Sequence, residues 1–187
     1  NITCLIMNKK GWKNLSILVS SIYKNRQEYQ YKFINFKDFL KYNEGLIILF
    51  DDVNDSEALQ EKSDYYSLAA ELKGIYGNRF YLNIFKESRS YQTVKEKNIF
   101  KLSSKLDVPL VCSNEVSFLN KEMFQAQDCL MCIEQSTTIN DSKRKKPNAE
   151  CYFKNTDEMT LLFSDVNEAL INTINIARRC SFLLKDS

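Results

Sequence analysis

Apolar residues begin the chain at once. Asn1-Ile-Thr-Cys-Leu-Ile-Met7 already reads as a buried strand, with neither an initiator Met nor a polar lead-in. This leads to the expectation that the chain was cut from a longer one. Asn8-Lys-Lys-Gly11 is turn-like, and Trp12, Leu15, Leu18, Val19 and Ile22 then recur at the spacing of one helical face. Asn35 is placed to cap a short helix carrying Phe36, Phe39 and Leu40, and Gly45 suits a left-handed exit from it. Leu46-Ile-Ile-Leu-Phe50 reads as the next strand. Beyond the acidic loop Asp51-Asp-Val-Asn-Asp-Ser56, the residues Leu59, Tyr65, Leu68, Ala69, Leu72 and Ile75 predict helix up to Gly77. Phe80-Tyr-Leu-Asn-Ile-Phe85 is a third strand.

In the second half, the charged segment Ser90–Leu106, with apolar Val94, Phe100 and Leu102, predicts a helix feeding the strand Val108-Pro-Leu-Val-Cys112. Asn120 precedes a helix from Lys121 to Ile133 in which Met123, Phe124, Leu130 and Ile133 are available for packing. Ser136–Asn148 is the one clearly polar stretch and reads as an exposed loop or extended arm. Thr156 is placed to cap a helix from Asp157 to Phe163, and Leu170, Ile174, Ala177 and Cys180 form a last helical stripe. Short, continuously apolar strands alternating with helices indicate a parallel sheet covered by helices, so the fold class is α/β.

Composition narrows the chemistry. With 187 residues, 44% of them hydrophobic, the chain can bury one substantial core, and one domain over 1–187 is the default. Lys plus Arg number 26 against 24 for Asp plus Glu, so any binding to nucleic acid or membrane must be local rather than driven by net charge. The six cysteines lie in apolar or helical contexts and read as reduced, cytosolic thiols. No apolar run approaches the roughly 20 residues that span a bilayer, and a soluble cytoplasmic protein is expected. There is no histidine and there are only four glycines. The commonest general base, the commonest metal ligand and the glycine-rich phosphate loop are therefore all missing.

Four local patterns invite functional readings. Cys129-Leu-Met-Cys132 has the spacing of half a zinc site, but no second pair or histidine completes it, and inside an amphipathic helix cysteine serves as a small apolar residue. The acidic loop at 51–56 lacks the glycine and distant glutamate of a calcium loop. Lys143-Arg-Lys-Lys146 could contact DNA phosphates in a salt-sensitive, sequence-independent way, although charge runs are more often solvated faces. Tyr65, Tyr66, Tyr76 and Tyr81 could stack on bases, but their spacing favours core positions.

A resemblance then carries the reading further. Cys151-Tyr-Phe-Lys-Asn-Thr-Asp-Glu-Met-Thr-Leu-Leu-Phe-Ser-Asp-Val-Asn-Glu-Ala-Leu170 resembles the run "x-Y-L-K-(S/T)-x-E-E-M-x-x-L-F-x-D-(I/V)-P-E-A-L". Ile171-Asn-Thr-Ile-Asn-Ile-Ala-Arg-Arg-Cys180 resembles "x-N-T-x-x-I-A-x-R-C". Upstream, Lys10-Gly-Trp-Lys-Asn-Leu15, Glu44-Gly-Leu-Ile-Ile-Leu49, Arg79-Phe-Tyr-Leu82 and Val108-Pro-Leu-Val-Cys-Ser-Asn-Glu-Val116 are similar to "x-G-Y-x-N-L", "E-G-L-I-x-L", "R-F-Y-L" and "x-P-L-V-A-T-N-D-V". All belong to the later portion of the PHP domain of bacterial DNA polymerase III alpha subunits, and the similarity covers nearly the whole chain.

The resemblance implies part of a distorted (β/α)7-type barrel of parallel strands, with zinc or manganese ligands at strand ends. It also implies that the first His-x-His motif, and the palm domain that uses magnesium for nucleotidyl transfer, lie outside this chain. At the family's ligand positions this sequence has Asn83, Glu87, Ser117 and Gln127. Hydroxyl and amide replace imidazole, so a degenerate site is expected, with no metal, cofactor or catalytic residue in this piece. The implied role is noncatalytic: supporting the rest of the polymerase subunit, possible docking of the proofreading exonuclease, and no membrane partner. The alternative is an active metal-dependent phosphoesterase or 3'-5' proofreading exonuclease, with ligands supplied from upstream.

Overall fold

The computed structural model describes residues 2–24, 34–51, 64–86 and 93–184. Glu87, Leu59 and most of the acidic loop fall outside the described residues. The chain divides into two compact units. One comprises Asn1–Ile84, Thr93–Cys112 and Glu168–Ser187; the other comprises Phe85–Gln92 and Ser113–Asn167.

The first unit is built on a sheet of β1 (Ile2–Ile6), β2 (Leu46–Phe50), β3 (Phe80–Phe85) and β4 (Leu110–Ser113), in that spatial order. All four strands fall on segments expected to be strands, but β1 is not the buried strand expected: its residues are half-buried, apart from Thr3, which is exposed. The expected all-parallel pairing holds for β2 with β3, but β1 runs antiparallel to β2, with Ile6 opposite Leu46 and Ile2 opposite Phe50. The cause lies where the chain leaves β1. Helix α1 (Lys9–Lys24) starts sooner than the turn-like Asn8–Gly11 suggested, because the Asn8 Oδ1 accepts the Gly11 N–H at 3.0 Å. Gly11 in that first turn then lies directly on Gly45, just ahead of β2. A Cβ on Gly11 would stand 2.0 Å from the Gly45 oxygen, and Gly45 has φ +76°. The Met7 N–H donates to the Gly45 carbonyl at 2.9 Å, and the Asn14 amide donates to the Glu44 carbonyl at 2.9 Å. The end of β1 is thereby held beside the start of β2, which makes the pair antiparallel.

The inward face of α1 is Gly11, Asn14 and Leu18, while Trp12 and Val19 point to solvent, a rotation of the face read from periodicity. Helix α2 (Phe36–Lys41) is capped by Asn35, whose side chain accepts the Lys37 N–H, as expected. Helix α3 (Asp64–Tyr76) gives way at Gly77, φ +54°, to a short 3-10 turn before β3. Helix α4 (Val94–Leu106) is capped by Thr93 and buries Ile99 and Leu102, and Val94 is exposed. Ile47, Tyr81, Val111 and Ile176 form a buried cluster, with Leu5, Leu49 and Cys180 against it.

The second unit holds a 3-10 turn at Lys121–Met123, helix α5 (Phe124–Glu134) and helix α6 (Thr156–Leu162). Phe118 forms a parallel bridge with Tyr152, and Phe118, Tyr152, Leu162 and Phe163 are buried. Two features of this unit differ from those expected. The cap of α6 is Asn155 rather than Thr156, in a reciprocal capping box with Glu158. Along α5 and the turn before it the apolar residues Met123, Leu130 and Ile133 face outward, Ile133 being 75% exposed, and the buried side chains of α5 are Asp128 and Cys132.

The last helix, α7 (Asn167–Arg179), belongs mainly to the first unit. Its inward stripe is Ala169, Ile176 and the partly buried Cys180; Ile174 and Ala177, expected in that stripe, are exposed.

Candidate functional site

Asn83 sits on β3 in the first unit, buried to 2% exposure. Ser117 and Gln127 belong to the second unit, where they line one open groove of about 360 Å³. Local structure brings those two together. The Ser117 N–H donates to the Cys151 carbonyl at 2.8 Å, and Asn120 accepts the Met123 N–H, turning the chain into α5 so that Gln127 follows on the same side. The remaining walls include Val116, Phe118, Leu119, Met123 and Leu130. A hydroxyl and a carboxamide among alkyl, thioether and aromatic groups are weak, neutral donors. Zinc or manganese calls for imidazole, carboxylate or thiolate, so Ser117 and Gln127 do not fit such an ion. Among the described residues, no group of three or more Cys, Asp or Glu side chains could hold a metal.

Next after β3 in the sequence, Lys86 is buried in the second unit, with its Nζ 2.6 Å from each carboxylate oxygen of Asp165 and 5.6 Å from the centre of the Phe163 ring. It lines a small cavity of about 50 Å³ with Asn114, Glu115, Glu150 and Cys151. Glu150 in turn pairs with Lys154 at 3.4 Å. The Cys-x-x-Cys pair divides, since Cys132 is buried and Cys129 exposed, and among the described residues no disulfide joins any of the six cysteines. Burial pushes the Cys4 thiol up to about 11, so it is protonated at neutral pH.

The basic run is not uniformly solvated, contrary to the expected exposed arm. Lys143, Lys145 and Lys146 are exposed, but Arg144 is buried. Its guanidinium forms a two-pronged pair with the Asp128 carboxylate, one prong at 2.7 Å, and its Nε donates to the Ile139 carbonyl at 3.2 Å. Hydrogen bonding from Arg144 holds the Asp128 carboxyl below the usual carboxylate range, and the same bond raises the guanidinium. Sequence reasoning treated four cations as equivalent; the buried partner Asp128 was hidden because it lies on a helix read as amphipathic, where a carboxylate is expected on the solvent side.

The segments carrying the family resemblance have structural work in these units. Lys10–Leu15 and Glu44–Leu49 supply the two sides of the Gly11–Gly45 contact. Arg79 donates to the Asn43 and Leu46 carbonyls at 2.6 and 3.0 Å. Asn172 donates to the Leu110 carbonyl, and Arg179 to the Asn78 carbonyl and the Tyr81 hydroxyl. Tyr152 donates to Glu158 at 2.7 Å, tying the Tyr152 motif to the capping box. Bonds from the Asn155 N–H and the Tyr152 hydroxyl hold the Glu158 carboxyl low.

No family model matches the chain. The DNA polymerase III subunit alpha of Rickettsia bellii is 35% identical over 185 residues, covering 97% of this chain and 16% of that protein. The Caulobacter vibrioides subunit is 31% identical over 184 residues, 96% of this chain and 16% of the relative. That of Haemophilus influenzae is 30% identical over 190 residues, with 99% and 16% covered. The chain thus spans about one-sixth of the length of the curated relatives it matches. Over nearly all of its residues, the chain is similar to one segment of these DNA polymerase III alpha subunits.

Proposed function

We propose that the chain is a noncatalytic, PHP-like portion of a bacterial replicative polymerase, acting in the cytoplasm as a scaffold within the DNA polymerase III alpha subunit. The observation that carries this reading is similarity to such subunits across 97% of the chain. The groove chemistry supports the noncatalytic part: at two positions where the family resemblance implies ligands stand Ser117 and Gln127, among apolar walls. In this reading residues 1–187 contribute to one PHP-like barrel, and the partners are the rest of the alpha subunit and the proofreading exonuclease. Magnesium-dependent nucleotidyl transfer belongs to a palm domain outside these residues, and no residue here is assigned to it.

The test takes the native polypeptide that contains this segment, purified without chelator. Primer extension should be present, while zinc and manganese bound to the PHP-like region, and hydrolysis of a simple phosphodiester, should be absent. Two or more tightly bound ions with phosphodiester turnover would overturn the noncatalytic assignment. A polypeptide that extends no primer would overturn the replicative one.

A further inference from the structure

We infer that Lys143, Lys145 and Lys146 form a preorganised platform for the phosphate backbone of DNA, held in place by the Asp128–Arg144 pair and by Gln135. From Ser136 to Asn148 the chain carries four cations and one acid, Asp141. One cation, Arg144, is withdrawn from solvent and neutralised by Asp128 on α5. On its C-terminal side, Gln135 clasps the loop through both backbone groups of Lys145: its Oε1 accepts the Lys145 N–H at 3.0 Å and its Nε2 donates to the Lys145 carbonyl at 3.1 Å. On the other side, the Asp141 carboxylate accepts the Lys143 N–H at 2.8 Å.

The three remaining ammonium groups are exposed, and among the described residues none has an ion-pair partner. A merely solvated run needs no such anchoring. Burying an ion pair carries a desolvation cost, and its best-attested return is a fixed conformation. Fixing the loop beforehand removes the ordering cost that a flexible lysine tail would meet on binding. Lys143 to Lys146 spans at most about 10 Å of extended chain. Over that length duplex DNA presents about six phosphates, one per ~1.7 Å of axis, enough to engage all three lysines. The choice of DNA among polyanions rests on the replicative reading above.

Fluorescence anisotropy of the full chain with a labelled duplex, from about 50 to 200 mM salt, tests this. Because log K falls by about 0.9 per neutralised phosphate for each decade of salt, the variant K143Q/K145Q/K146Q should lower the slope by about 2 to 3. All three positions are on the surface, so folding is not at stake. Gln135→Ala keeps every charge and should weaken binding several-fold with the slope unchanged. A triple variant that retains the wild-type affinity and slope would overturn the platform, as would a Gln135→Ala chain that binds like wild type. A poly-glutamate peptide that displaces DNA at equal charge concentration would overturn the assignment to DNA. Binding and primer extension are read separately, so failure of the lysine platform and failure of the replicative role give different results.

Discussion

Asp128 and Arg144 place one charge of each sign in the interior of the second unit, and each makes the other tolerable. Removing either leaves the other buried without its partner, which is the costly case. The pH dependence follows from the sign of the shift. The Asp128 carboxyl is held below its ordinary value of 3.8, so its contribution to stability is fully present above that value and is lost as pH falls through the lower, folded-state value. Arg144 stays charged throughout. Asp128→Asn should therefore lower the melting temperature at pH 7, and the gap to wild type should narrow steadily below about pH 4. Thermal scans of both proteins between neutral pH and about pH 2 read this directly. A gap that does not change with pH would mean that the pair contributes shape alone. Some acid sensitivity should persist in the variant, because the Glu158 carboxyl is also held low, by the Asn155 N–H and the Tyr152 hydroxyl.

Helices and strands report a second kind of constraint, the close approach of backbones. Where α1 meets the turn before β2, the Gly11 and Gly45 backbones touch, and no side chain fits between them. Gly11→Ala should destabilise the protein by about 1–3 kcal/mol, the range for overpacking. Gly74→Ala is the matched control: nothing lies within 4 Å of its Cβ position in α3, so the change should stabilise by roughly 0.5–1 kcal/mol. Denaturant midpoints measure both, and equal effects at the two sites would deny the Gly11–Gly45 contact its role. Element positions were legible because apolar runs and caps are local: β3 falls on Phe80–Phe85 and Asn35 caps α2. Which way a helix faces was less legible. Periodicity shows that Leu130 and Ile133 share a side of α5, but not that this side is solvent-exposed while Asp128 turns inward to Arg144.

Assembly of the elements depends on contacts that no local pattern contains. Strands alternating with helices announced an α/β fold, yet nothing in an apolar pentapeptide specifies strand direction, and β1 runs antiparallel through a contact between residues far apart in sequence. The same limit applies to the groove: Ser117 and Gln127 were singled out by resemblance, but their apolar walls depend on how α5 packs. Each compact unit also has its own buried residues, Leu72, Phe80 and Ile84 in the first and Phe118 and Phe163 in the second. The stability of each should respond most to its own core. Leu72 is fully buried in α3, and Leu72→Ala should cost about 2–5 kcal/mol. Where opening of the first unit limits exchange, this accelerates the amides of β2 and β3 by about 30-fold or more. Amides of α5 should keep nearly their wild-type protection. Hydrogen exchange read by mass spectrometry on both proteins decides it, because an equal loss of protection in α5 would show that the two units open as one cooperative body.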